Sequence, residues 1–404
     1  MNICGLIVEY NPFHNGHDYH IKEAQEVTNA DCMIAVMSGS FLQRGEPAII
    51  DKFHRAKAAL NSGIDIVVEL PFVYAVESSD LFAKGSVMTL HELGVNNICF
   101  GSESGDIQKF IQGYSVFIEN KDMFQSILKT ALKSGKSFPD ASKIAYEAIG
   151  LTEDGMDLSK PNNILGFSYV KTILENKLPI QPSTIRRKNN EYHDTEITGS
   201  ITSATSIRKQ IFDHQIHISA LKHTMPTATI DQLTVYNNQA KTLHYWEKYY
   251  PFLHYRVTTM SYEELRLIHG VEEGIEYRIK KAAKDVHSFN EWVERIKTKR
   301  YTWTRIQRIF VHILTNTKKT EINLLSTPQS VPYVRLLGMT KKGQHYLNKI
   351  KKEMNVPIYQ KLSRDLHPML QLEERATNTY YSILPSENRY SLMQQEFKGP
   401  VRIP

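Results

Sequence analysis

ICGLIVEYNPFHNGHDYHIKEA, residues 3–24, is an apolar run cut off by a loop that carries two histidines three positions apart and passes at once into a helical pattern. Residues 3–8 read as a buried strand. Gly16 lets the backbone come close to a ligand, and the helix that follows turns its first N–H groups and the positive end of its dipole toward the loop. An anion belongs there. His14 and His17 then act as preorganised donors to phosphate oxygens as charge builds on them in a displacement, not as nucleophiles. A metal held by His14, His17 and His20 lacks a Cys, Asp or Glu completing a familiar spacing, and His20 reads as an ordinary surface histidine. Dinucleotide binding fails because no GxGxxG follows the strand. KSGKS at 133–137 is no P-loop, because Thr130 stands where its first glycine belongs.

Working outward, apolar runs begin at Ile3, Cys32, Ile64 and Val95, about thirty residues apart, the length of a strand plus a returning helix. CMIAVMSG, IDIVVELPF and VNNICFGSE are so continuously apolar that they suit a parallel sheet covered on both faces. The helical segments between them stop at glycines, Gly63 and Gly94 among them. The fold class is therefore α/β, a doubly wound parallel sheet, with its functional residues at the carboxyl ends of the strands. PNNILGFSYVKTILENK reads as a helix and LPIQPSTIRRK as a fifth strand. The turn-rich NNEYHDTEITGS then leads to ITSATSIRKQ, where hydroxyls gather at a helix entry.

A chain of 404 residues is long enough for two domains, and the boundary is placed at residue 215, between a catalytic domain, 1–215, and a mainly helical region, 216–404. No apolar run approaches the roughly 20 residues of a spanning helix, and the first residues lack the basic start of a signal peptide. Cys4, Cys32 and Cys99 form no CxxC and read as small buried residues in a reducing cytoplasm. Charge divides unevenly. Residues 1–210 carry 20 Lys+Arg against 25 Asp+Glu, and residues 211–404 carry 29 against 18. The excess of the second half points to a polyanionic partner.

HNGH at 14–17 resembles the HxGH signature of the nucleotidyltransferase and class I synthetase superfamily, a HUP or Rossmann-like fold. ITSATSIRKQ at 201–210 resembles the ISxTxIR signature of its adenylyltransferase branch. Together with SGSFLQRGEPA, DIVVELPF, CFGSE and PNNILG, these segments resemble one family over the whole chain, the tRNA(Met) cytidine acetate ligases. The resemblance implies a ligase that uses ATP to join acetate to N4 of the wobble cytidine of elongator tRNA(Met), in the anticodon loop. An acetyl-adenylate would be the intermediate, and AMP and pyrophosphate would be released. It also implies ATP contacts along Ile7, Val8, Glu9, Tyr10, Asn11, Pro12, Phe13, His14, Asn15, Gly16, His17, Asp18, Tyr19 and His20. Further contacts fall on Gly101, Asn162, Arg187, Ser203, Thr205, Ser206 and Arg208. Magnesium would be held through the phosphates and water, so no protein metal ligand is expected.

The chemistry is coherent. An exocyclic cytosine amine is a weak nucleophile and acetate a weak electrophile, so a mixed anhydride is required, and a base in a single-stranded loop can be splayed out to meet it. Arg44, with Gln43 beside it, is the candidate for the acetate carboxylate or the tRNA, while Lys22 and Lys52 read as solvated helix lysines. RIKTKRYTWTRIQR and TKKGQHYLNKIKK mix basic and aromatic residues as RNA-contacting segments do, and LGMTKKG, which lacks the first lysine of KMSKS, reads as a turn. Two rivals remain at this level: a cofactor-biosynthesis adenylyltransferase, for which the basic half is superfluous, and a non-catalytic RNA-binding protein on an old nucleotide fold.

Overall fold

The computed structural model describes residues 1–152, 156–187, 202–363 and 367–404; the turn-rich stretch NNEYHDTEITGS and the first residue of ITSATSIRKQ lie outside them. The expected parallel strands form in the expected places: β1 (Ile3–Val8), β2 (Cys32–Ser38), β3 (Ile66–Leu70), β4 (Asn97–Ser102) and β5 (Gln181–Arg186). Their spatial order is β5-β4-β1-β2-β3, all parallel. The chain runs from β1 outward to β3 and then crosses back to lay β4 on the other side of β1. Such a reversal opens a crevice at the carboxyl ends of the two strands. HNGH leaves β1 at that crevice and GSE closes β4 beside it.

Alternation along the strands sends side chains to opposite faces. Ile34, Val36, Ile66 and Val68 join one core, and Met33, Ala35, Met37 and Val67 join another. The smaller core lies under helices Asn15–Thr28 and Lys52–Leu60, which supply Ile21, Ala24, Phe53 and Ala56. The larger runs on into the C-terminal helices, through Trp292, Phe310 and Tyr380, with Trp246 stacked on Phe289 at 4.3 Å. All three cysteines are buried and free.

The second half is mainly helical, as expected, and it also contributes to the sheet. Its helices are present from Thr227 onward, but it also returns three strands to the sheet: β6 (Val334–Thr340), β7 (Ile358–Tyr359) and β8 (Val401–Ile403). β6 pairs antiparallel with β3, and β7 and β8 pair with β6, so the sheet is mixed and position 215 does not separate sheet from helices. LGMTKKG is not a turn but the end of β6 running into helix Lys341–Ile350. The strand was hard to see because Arg335 and Gly338 interrupt its apolar pattern.

Arg335 belongs to a buried ionic cluster that overturns the solvated reading of Lys52. Lys52 Nζ lies 2.7 Å from Glu69 Oε1 and 2.7 Å from Glu396 Oε1, and Arg335 reaches Glu396 Oε2 at 2.9 Å. Glu373 accepts from Phe72 N at 2.7 Å. Burial and the neighbouring Glu69 push the Glu373 carboxyl well up, whereas for Glu69 the opposing burial is outweighed by Lys52. Two cations, two carboxylates and one neutral acid then balance without solvent.

Candidate active site

Helix Asn15–Thr28 begins at His14, whose extended backbone places its ring as the cap. His14 Nδ1 accepts from Gly16 N at 3.0 Å, and His17 Nδ1 accepts from His14 N at 3.3 Å. A ring nitrogen that accepts carries no proton, so in each neutral imidazole the proton sits on Nε2. The two rings stack at 3.8 Å, presenting a pair of Nε2–H donors. Behind them Tyr10 and Phe13 are wholly buried, with Tyr10 edge-on to His17 at 4.9 Å, so their side chains support the rings and leave the backbone to meet a ligand. Burial, helped by Arg187 and Arg208, pushes His14 down to about 3; burial and His14 push His17 well below the usual range. Both are neutral donors at neutral pH.

One expectation fails in detail. The helix does not aim free N–H groups into the loop, because Asn15 N donates to Thr224 O at 3.0 Å, Gly16 N to His14, and His17 N to His14 O at 2.8 Å. The groups left to meet an anion here are the imidazoles, the helix dipole and the surrounding arginines.

The second signature comes to the same place. Ser203 caps helix Ala204–Phe212 by accepting from Ser206 N at 3.1 Å, and the Ser203 and Ser206 hydroxyls are 3.0 Å apart. Thr205 is exposed in the first turn. From the next turn Arg208 donates to Asn11 O at 2.8 Å and pairs with Glu46 at 2.6 Å. Across the crevice Arg187, just after β5, donates to Asn162 Oδ1 at 3.1 Å, and a Cβ on Gly101 would stand 3.3 Å from its Cγ. The loop after β2 closes the side: Gln43 N donates to Glu9 Oε1 at 2.7 Å, and Arg44 acts electrostatically on both Glu9 and Arg187. Burial pushes the Glu9 carboxyl up. Gly45, at φ 75°, passes against the backbone of Arg308 where no Cβ would fit, and its carbonyl accepts from Trp246 Nε1 at 2.9 Å. The loop is thus held by the C-terminal helices.

Some expected residues stand apart. Asp18 pairs with Lys22 at 2.7 Å on the outer face of the helix. Ile7, Val8 and Tyr19 contribute mainly packing against the sheet. His20 faces inward, pushed down to about 4 by burial, and is not a surface histidine. Of the basic segments, Arg305 pairs with Glu273 at 3.4 Å and Arg308 is drawn inward toward Glu77; Arg295, Lys297, Lys299, Lys341, Lys342, Lys349, Lys351 and Lys352 are exposed.

Sequence reasoning missed two organisers. Arg55, fully buried, donates to Glu9 O at 2.7 Å, Ser38 O at 2.9 Å and Gly39 O, tying together the ends of β1 and β2. Glu103 accepts from Asn162 Nδ2 at 2.7 Å and Asn163 N at 2.8 Å, capping helix Pro161–Glu175 and orienting Asn162 toward Arg187. The available hint was the acidic residue that ends the CFGSE segment, just after β4.

The chain matches the HIGH Nucleotidyl Transferase family over residues 1–396. A tRNA(Met) cytidine acetate ligase of Oceanobacillus iheyensis is 55% identical over 403 residues, covering 100% of both chains. The chain belongs to the tRNA(Met) cytidine acetate ligase family. Solved structures of this family from Thermotoga maritima extend the likeness to the fold. The apo form of the TmcAL protein superposes with a TM-score of 0.91 at 34% identity, and its form bound with alpha-thio ATP with 0.88 at 32%, each covering 100% of both chains.

Neutral buried histidines make a family member of this design sensitive to acid. His14 and His244 are pushed down to about 3 and His20 to about 4, each chiefly by burial. Below about 6.5 the unfolded chain binds protons that the folded one refuses, so stability is full above that pH and falls as pH drops, by about 1.4 kcal/mol per unit for each such histidine. His54, raised mainly by Asp51 against its burial, works oppositely and loses its contribution as pH rises through its folded value. A urea midpoint that fell steadily from pH 6.5 to pH 5 is expected; a flat one would show that these rings are not buried neutral.

Proposed function

We propose that the chain ligates acetate to N4 of the wobble cytidine of elongator tRNA(Met) at the expense of ATP. The observation that carries this reading is the approach of both signatures to one crevice, with Arg208 bonded to the Asn11 carbonyl three residues before His14. In the first step an acetate oxygen attacks the α-phosphorus and the bond from that phosphorus to the α,β-bridging oxygen breaks, releasing pyrophosphate and leaving acetyl-adenylate. In the second, the cytidine N4 attacks the acetyl carbonyl, loses a proton, and expels AMP.

His14 and His17 donate from Nε2 to the phosphate oxygens, where negative charge accumulates as the displacement proceeds. Arg187, oriented by Asn162, and Arg208, oriented by Asn11 and Glu46, supply the fixed positive charge. The backbone of 7–20, Gly101 and the hydroxyl-rich entry at Ser203, Thr205 and Ser206 complete the ATP cradle. Magnesium bound through the phosphates and water shields their charge. Arg44, on the loop held by the C-terminal helices, receives the acetate carboxylate. The anticodon loop lies against the basic half, and three free buried thiols accord with work in the cytoplasm. Among the described residues no helix is long and apolar enough to cross a membrane.

The direct test is incubation with ATP, acetate and tRNA(Met), followed by AMP measurement and nucleoside mass spectrometry. N4-acetylcytidine formed in step with AMP is expected, and AMP release without it would sink the assignment. For the RNA surface, Lys297→Glu with Lys299→Glu should weaken tRNA binding and reduce its salt slope by about 2, leaving ATP binding intact. An unchanged slope would return that segment to solvent.

A further inference from the structure

Away from the crevice, Glu77, His269 and His312 bring one carboxylate oxygen and two imidazole nitrogens within 4.8 Å of one another. His269 Nε2 stands 2.7 Å and His312 Nε2 4.0 Å from Glu77 Oε1. The three come from distant parts of the chain, and their backbones are fixed. Glu77 follows the short helix Phe72–Ala75; His312 sits in helix Trp303–Leu314; His269 N donates to Thr317 O at 3.0 Å, beside the bridge between Ile268 and Lys318.

His312 is the telling member. Its side chain is 2% exposed, and neither ring nitrogen makes a well-formed hydrogen bond among the described residues, the Val76 backbone lying near the ring. A buried imidazole left so is costly and calls for a reason. Glu77 Oε1 likewise makes no hydrogen bond, only the approach of His269.

We infer that Glu77, His269 and His312 form a binding site for a divalent cation of the zinc class. Two imidazoles and a carboxylate are a donor set that zinc accepts, and bonds of about 2.0–2.2 Å in a tetrahedron would place donors about 3.3 Å apart. The observed 2.7 and 4.0 Å bracket that spacing, so small side-chain rotations would close the site, leaving a fourth position to water on the His269 side, where 22% exposure gives entry. Arg308 lies close enough to act on Glu77, and its charge costs some affinity. The backbone of Glu77 also accepts from Gln43 Nε2 at 2.9 Å, so a bound cation would tie the C-terminal helices to the loop that carries Arg44.

The test is titration of the chelator-stripped full-length protein with Zn(II) against a chromophoric competitor, with bound metal counted by elemental analysis and thermal unfolding followed in parallel. One equivalent at micromolar affinity or tighter is expected, not displaced by Mg(II), with a rise in Tm on loading. Glu77→Gln and His269→Ala should each lower the affinity by roughly a hundredfold and abolish the Tm rise. His269→Ala touches the more exposed ligand and so keeps the test independent of folding at His312. No retained zinc in the folded wild type, or the same stoichiometry and affinity in His269→Ala, would overturn the site.

Discussion

His17→Ala is expected to slow acetate-dependent ATP–pyrophosphate exchange by about 10² to 10³, the loss that follows removal of one preorganised donor to a developing oxyanion. Alanine alone does not isolate the cause, because each ring does two jobs: Nδ1 accepts from the backbone at the helix start, while Nε2–H is left for the ligand. The amide pair separates them. Asparagine can place its carbonyl oxygen near Nδ1 and keep the backbone contact without a donor at the Nε2 position. His14→Asn and His17→Asn should therefore preserve the helix and the urea midpoint, yet lose exchange nearly as fully as alanine. Stopped-assay exchange with acetate present and absent reads the outcome, and full exchange in either asparagine variant would remove the imidazoles from the activation step.

Lys52→Met should cost about 3–5 kcal/mol, as breaking a buried ion pair by deleting one partner does. That is a large share of the 5–15 kcal/mol typical of a folded domain. Without the ammonium, Glu69 and Glu396 keep only Arg335 between them and share the cavity with Glu373, so at least one more carboxyl must take a proton. The loss should shrink as pH falls, which sets it apart from a cavity effect. Adding Glu69→Gln should recover part of it, and the double-mutant cycle measures how much. A Lys52→Met protein within 1 kcal/mol of wild type by urea denaturation, at any pH, would mean the cluster is not ionised as described.

The first four parallel strands, the crevice and most of its approach were legible because these strands are nearly continuous apolar runs and each motif follows one directly, whereas β5, QPSTIR, is the least apolar of the five. What stayed hidden shares a single cause: a charged residue shows its sign in the sequence but not its partner. Lys52 read as a solvated lysine and Arg308 as part of an RNA-facing segment, while Arg55 and Arg335 carried no signal; all four are turned inward by groups elsewhere in the chain, 344 residues away in the pair Lys52 and Glu396. Arg335 also broke the pattern that would have revealed β6. Within the site, the tautomers of His14 and His17 depend on backbone N–H groups that only the folded turn brings to Nδ1.

The place of β6 and β8 has a consequence for how the protein is made. β3 is apolar at every position except Glu69, and its outer edge finds a partner only when residues 334–340 have emerged, with 401–403 following at the very end of the chain. At about 5–20 residues per second of synthesis, a nascent chain leaves that edge uncovered for roughly 15 s or longer, a template for unwanted pairing. Residues 71–333 must be synthesised before that edge is covered, so chaperones that shield apolar strands, and an intact β6, matter more to yield than the length of the catalytic half would suggest.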